Sequence, residues 1–331
     1  MSHPNYTQLK GFDNVGDSSL SMSIQDGLIE FFDWGLLEKG NFFNVSIPAS
    51  GQFGGDKHKL RLVDDPNYDS GQVWEGFRSN WVWQSGLSYS EQPLVTNKWH
   101  SPGISGVFVD GAFQSTFDSP TYPHSVDYSN GRVIFNTALP TTSAVTAEYS
   151  YKWINVVPAN STPWFREIQY GSQRADGHFE QTGSGDWSQL AQSRLQLPAI
   201  AVEVVPPRVS EPYQLGGGSY VHTDVIFHVL AEEDYVRDKL IDIVSLQNEK
   251  SIYMIDTNRM ATNDAFPLDW KGSVKPSGFR YPDLVKPSGI GGYRWKGLRF
   301  ENVRSQRTAP INESLHTGVV RMTTQVIMGS V

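Results

Sequence analysis

The sequence predicts an α+β, β-rich protein. An antiparallel β-sandwich-like module precedes an α+β domain with one main helix on a mostly antiparallel sheet, and long extended loops connect them. Three observations carry this. Two Asx-Gly pairs, Asp110-Gly111 and Asn130-Gly131, each sit between short β-branched or aromatic runs, as in type I′ hairpins. Val145, Ala147, Tyr149, Tyr151 and Trp153 alternate with Thr146, Glu148, Ser150 and Lys152, and a period of two gives a strand one buried and one wet face. Val236, Leu240, Ile243 and Val244 share one stripe of a helical repeat over 234–248. Glu232, Glu233 and Asp234 stand where its dipole favours negative charge.

Residues 1–103 read as an N-terminal helix and an irregular β/loop region. The helix spans 17–40, with Asp17 or Ser18 as cap, a stripe of Leu20, Ile24, Leu28, Phe31 or Phe32 and Leu36, and Gly40 as the stop. Short apolar bursts follow at Leu60–Val63, Val73–Trp74 and Trp81–Trp83. Residues 104–157 form the antiparallel module, with Val107–Val109 leading into the first hairpin and Val126–Tyr128 and Val133–Phe135 flanking the second. Residues 158–197 lack apolar periodicity and read as an extended arm. Residues 198–331 return to α+β. Ile200–Val205 closes at Pro206-Pro207, Val221–Leu230 and Ser251–Ile255 are strands, 261–293 is a long Pro/Gly-rich loop, and Val319–Met328 is the last strand. The arm and the long loop are expected to contact adjacent chains more than their own.

The bulk numbers narrow the function. With 331 residues, 38% hydrophobic and 19% charged, the chain has an ordinary globular composition. Its net charge of −8 argues against a surface built to grip nucleic acid. The absence of cysteine excludes disulfides, thiolate chemistry and the usual structural zinc sites. The polar start, Met1 to Lys10, has no apolar core of a signal peptide, and no apolar run approaches the roughly 20 residues of a membrane helix.

The sequence carries few motifs that point to chemistry. Gly216-Gly217-Gly218 is followed by a strand rather than by a helix and a Lys-Ser/Thr, so it reads as a hairpin loop rather than a phosphate loop. His222, Asp224 and His228 share a strand face, but His222 and His228 stand about 20 Å apart at roughly 3.3 Å per residue, too far for one ion. Asp64-Asp65 precedes a proline and reads as a turn. No catalytic residue, cofactor or metal is expected, and the chain reads as a non-enzyme.

Two groups of residues point instead to contact surfaces. Trp74, Trp81, Trp83 and Trp99 form a Trp-rich segment suited to an interface or core, with a sugar-stacking platform as the alternative. Nine basic residues and only two acidic ones lie between Lys271 and Arg307, so this stretch carries +7 and the remainder −15. Lys271, Lys275, Arg280, Lys286, Arg294, Lys296 and Arg299 are therefore candidate inter-subunit contacts. They would dock on acidic surface of a neighbouring chain, with single-stranded nucleic acid as the alternative.

Leu36–Val45, Gln72–Arg78, Val126–Phe135 and Tyr149–Trp153 resemble stretches of virion structural proteins of marine tailed bacteriophages, including those of cyanobacteria, and most of all neck or tail-completion components. The resemblance implies a subunit of a homo-oligomeric ring, hexameric or dodecameric, at the head-to-tail junction or in the tail. It would meet other neck and tail proteins, with DNA at most passing through its channel and no membrane contact. A baseplate, collar or fibre-associated part with a carbohydrate-binding β module is the alternative.

Overall fold

The computed structural model describes residues 15–16, 18–47, 57–95, 106–114, 121–159, 196–214, 218–275, 280–285, 297–309 and 315–328. The chain begins with helix α1 (Leu20–Leu37), followed by β1 (Phe42–Val45), β2 (Arg61–Leu62), β3 (Val73–Glu75), β4 (Gly106–Val109), β5 (Ala112–Gln114), β6 (His124–Asp127), β7 (Arg132–Phe135), β8 (Val145–Lys152) and β9 (Asn155–Pro158). Then come β10 (Ala199–Gln214), β11 (Gly218–Ala231), α2 (Asp234–Ser245), β12 (Ser251–Ile252), α3 (Thr257–Thr262), α4 (Tyr281–Leu284), β13 (Leu298–Arg307) and β14 (His316–Met328). The protein is α+β and strand-rich, as its periodicities predict.

The first nine strands, apart from β9, build a sandwich of two four-stranded antiparallel sheets, β1-β8-β4-β5 and β2-β3-β7-β6. The inner faces meet in one apolar cluster, where Val107, Val145, Ala147 and Tyr149 oppose Trp74, Val126, Val133 and Phe135. Residues 104–157 do not make this module alone. β1, β2 and β3 are only two to four residues long, and β1 and β3 pair across long sequence separations, as in Phe42↔Lys152 and Trp74↔Val133. Strands that short carry no readable alternation. The β4–β5 hairpin has positive φ at both Asp110 (49°) and Gly111 (82°), as a type I′ turn requires. The β6–β7 hairpin departs from that type. Four residues, 128–131, join the strands, only Gly131 has positive φ, and the Asp127 carboxylate accepts from the backbone and side-chain nitrogens of Asn130.

The second half forms a six-stranded sheet, β12-β13-β14-β11-β10-β9, antiparallel except for the β9–β10 pair. One face carries Val221, Val225, Phe227 and Val229 of β11 with Val320, Met322 and Val326 of β14, and α1 and α2 pack on it. The opposite face presents His222, Asp224 and His228, all half-buried. β10 does not stop at Pro206-Pro207. A register shift between Val205 and Arg208 marks an irregularity there, where prolines with no N–H to pair are tolerated. β13 lies inside the basic stretch, where the sequence pattern predicts no strand. Leu298 and Phe300 face the core, and a second register shift between Glu301 and Arg304 interrupts the alternation.

Helix α1 joins the two halves. Its N-cap is Ser19, one residue beyond the expected pair, and the Ser19 hydroxyl accepts from the Met22 N–H. Leu20, Ile24, Leu28, Phe32 and Leu36 bury against the six-stranded sheet. Trp34 and Leu37 pack elsewhere, with Phe42, Ile255, Met260, Tyr281 and Leu284. Beyond the helix, buried Asn41 donates to the Ile154 carbonyl and accepts from the Ile154 N–H, at 2.9 and 2.7 Å. That clamp holds the end of α1 against the β8–β9 connection. The polar face of β8 is not wet at its end: Lys152 is buried against Asp33 of α1, and buried Ser150 donates to the Asn44 side chain.

The long loop was expected to touch its own chain little. Its described part does the reverse: Ala265, Val274, Tyr281 and Leu284 are buried, and α4 lies within it. Residues 276–279 and 286–293 of that loop, and the arm from 160 to 195, lie outside the described residues.

Candidate functional site

Three of the four candidate interface tryptophans belong to the core of the subunit. Trp81 is wholly buried, its ring stacked on Tyr149 at 4.2 Å between centroids, and its Nε1 donates to the Arg78 carbonyl. Trp74 is buried with its Nε1 donating to the Gly71 carbonyl, and Trp83 packs in the same cluster. A ring with no exposed face meets neither a neighbouring chain nor a sugar. That overturns the interface assignment for these three and removes the basis of the carbohydrate platform. Trp99 lies outside the described residues.

The basic residues are mostly committed within their own chain. Lys275 Nζ pairs with Asp264 at 2.5 Å and Arg280 with Asp283 at 3.1 Å, and Arg299 pairs with Glu249 and, at 3.2 Å, with Glu301. Lys286, Arg294 and Lys296 lie outside the described residues. Lys271 is exposed, its Nζ 5.0 Å over the ring of Trp270.

Trp270 is the residue that sequence reading missed. It is 87% exposed, at the tip of a turn that runs from Leu268 to Val274, two residues joined by an isolated β-bridge. Asp269 organises this turn. Its Oδ1 accepts from the Lys271 and Ser273 N–H groups at 2.8 and 2.9 Å, and its own N–H donates to the Ser273 carbonyl. The turn is sewn to the sandwich by Tyr128 N–H to the Gly272 carbonyl and by Ser273 Oγ to the Val126 carbonyl. Gly272 has φ +78°, and a Cβ there would collide with the Asp127 carboxylate. The result is a large aromatic side chain held in water on a well-anchored backbone.

Beside this turn lies a cleft of about 330 Å³ between α1, the sandwich and Phe266–Leu268. Glu30, Asp33, Asn80, Gln84 and Lys152 line it. Lys152 Nζ donates to Asp33 Oδ2 at 2.7 Å, and Gln84 Nε2 donates to the same oxygen at 3.0 Å. Burial pushes the Glu30 carboxyl up to about 7. Asp33 and Asp26 add to that rise, and Lys152 opposes it. Glu75, in the sandwich, is likewise raised to about 7 by burial and by Asp127, against the pull of Arg132.

The remaining polar groups of interest have structural partners. His228 Nε2 lies 2.7 Å from Glu203, Thr323 Oγ1 donates to Asp224, and Asp65 pairs with Arg132 at 3.3 Å. Among the described residues, no group of three or more His, Asp or Glu side chains is placed to hold a metal ion, and no helix is long and apolar enough to cross a membrane. No protein-family model matches this chain, and no curated protein sequence matches it.

Proposed function

We propose that this chain is a structural subunit of a tailed-bacteriophage particle, a ring-forming component of the neck or a tail-completion protein. The observation that carries the assembly role is Trp270, almost fully solvated on a turn that hydrogen bonds within it and to the sandwich hold in place. Exposed aromatic side chains on rigid backbone are what protein interfaces use as anchors, because little conformational entropy is lost when they are buried. Phe266, also exposed, lies four residues away on the same segment. The phage assignment within that role rests on the resemblance of Leu36–Val45, Gln72–Arg78, Val126–Phe135 and Tyr149–Trp153 to virion proteins.

In this reading the chain resides in the virion and meets copies of itself and other neck or tail proteins, with Trp270 seated in a neighbour. Mass photometry of the full chain tests it. The expected species is a hexamer or dodecamer that Trp270→Ala shifts toward monomer. A wild-type chain that stays monomeric at every concentration, and is missing from purified particles by mass spectrometry, sinks the proposal.

A further inference from the structure

We propose that the cleft between α1 and the sandwich is a binding site for a cationic alkylguanidinium or alkylammonium group, seated against Glu30, Asp33 and the Oε1 of Gln84. The assignment stands apart from the assembly role, since its polar groups lie on α1, β8 and Gln84 and it does not use Trp270.

Gln84 is the first support. It is 1% exposed, and its Nε2 donates to Asp33 Oδ2 at 3.0 Å. A carboxylate only accepts, so this bond fixes the orientation of the amide and leaves Oε1 as an acceptor. Gln84 lines the cleft, and its Oε1 is buried with no hydrogen-bond partner among the described residues. A buried acceptor left unpaired costs free energy, which a donor entering the cleft would recover.

Charge is the second support. Glu30 and Asp33 lie three residues apart on α1, on the same side of the helix. Lys152 from β8 neutralises one of them, and its Nζ is already 2.7 Å from Asp33 Oδ2. Among the described residues, one carboxylate is left without a cation of its own. Among the described lining residues an anion finds no free positive charge, and a neutral ligand leaves the excess negative charge in place. A guanidinium or ammonium group supplies both the donors and the charge. The apolar part of the wall, Ile29, Val156, Phe266 and Leu268, suits the methylene stem of such a group. The volume is at the small end for a ligand site, which fits one stem and head.

Binding is coupled to a proton. Glu30 faces Asp26 and Asp33 on its own helix, Lys152 from β8 and the Tyr281 phenol from α4. With the cleft empty, its carboxyl is partly protonated near neutrality. An arriving cation favours the carboxylate, so the proton leaves to solvent and affinity rises from pH 6 to pH 8.

Isothermal titration of the full chain with n-butylguanidinium, in two buffers of different ionisation enthalpy, reads both effects. The expected result is binding with proton release, weakened at least tenfold in Glu30→Gln and absent for uncharged n-butylurea. Glu30→Gln mimics the protonated carboxyl, so its unfolding midpoint at pH 6 should match wild type, which separates lost binding from lost folding. N-acetyl-arginine methylamide tests the source of the cation. Tighter binding than n-butylguanidinium assigns the site to an arginine side chain of a partner, and weaker binding assigns it to a free small cation. No binding of either probe, or equal binding of the urea, overturns the proposal.

Discussion

Glu30 has its ordinary value of 4.5 in the unfolded chain and about 7 in the folded one. Between those values the folded state holds more protons, so stability falls as pH rises through that window. A shift of this size corresponds to about 3 kcal/mol, fully lost only above pH 7. Glu75 acts in the same direction. Glu30→Gln should therefore flatten, without abolishing, the decline in stability from pH 5 to pH 8, and should exceed wild type at pH 8. Urea midpoints at the two pH values measure this, and identical declines in the two proteins would refute it. The tryptophans give a second contrast at this scale. Trp81→Ala removes a wholly buried ring stacked on Tyr149 and should cost about 3–5 kcal/mol of stability. Trp270→Ala removes a solvated ring and should change monomer stability by less than about 0.5 kcal/mol. In the sequence the two residues are equally tryptophan. What separates them is whether a second strand happens to lie over the ring.

Elements with long, regular patterns were legible for a physical reason. β8 alternates because one face packs inside the sandwich, and α2 shows its stripe because only one side meets the sheet. α1 was harder, since two different surfaces cover it: the sheet on one side, and the cluster of Phe42, Ile255 and Tyr281 on another. β13 was unreadable because its buried positions stop after Phe300, where the register shift begins. The Trp270 turn left a weak trace. An Asp three residues before a Gly, Asp269 to Gly272, is a common turn pattern, and nothing in it announces the bonds to Tyr128 and Val126 far away in sequence. The cleft had no trace at all, since Glu30, Gln84 and Lys152 come from three separate regions. The turn makes its own prediction. Gly272→Ala places a methyl at φ +78° against the Asp127 carboxylate, so backbone and contact both oppose it. The expected cost is about 1–3 kcal/mol, with a loss of assembly equal to that of Trp270→Ala. Hydrogen exchange at the Lys271 and Ser273 amides should rise in this variant, and unchanged protection would show that the turn tolerates the residue.

Across the whole molecule, the division into a +7 stretch and a −15 remainder suggests subunits that join by opposite charge. The geometry weakens that expectation. Among the described residues of the stretch, Lys275, Arg280, Arg299 and Arg307 each pair with a carboxylate of the same chain, so much of the local charge is already compensated. Exposed pairs of this kind add little energy, and salt screens what they add within about 10 Å at 0.1 M. A solvated indole, by contrast, buries about 200 Å² when it enters a neighbour, and that contribution does not weaken with salt. Assembly should therefore be governed by Trp270 rather than by the basic stretch. Raising sodium chloride from 50 to 500 mM should change the association constant by less than about threefold, whereas Trp270→Ala should lower it by at least about thirtyfold, equivalent to about 2 kcal/mol. Arg299→Glu, which places a third carboxylate beside Glu249 and Glu301, should loosen β12 and β13 locally and leave assembly nearly unchanged. Sedimentation velocity across the salt series distinguishes the two drives. A steep fall of association with salt, together with full assembly of Trp270→Ala, would return the interface to the charged loops and take the aromatic anchor out of it.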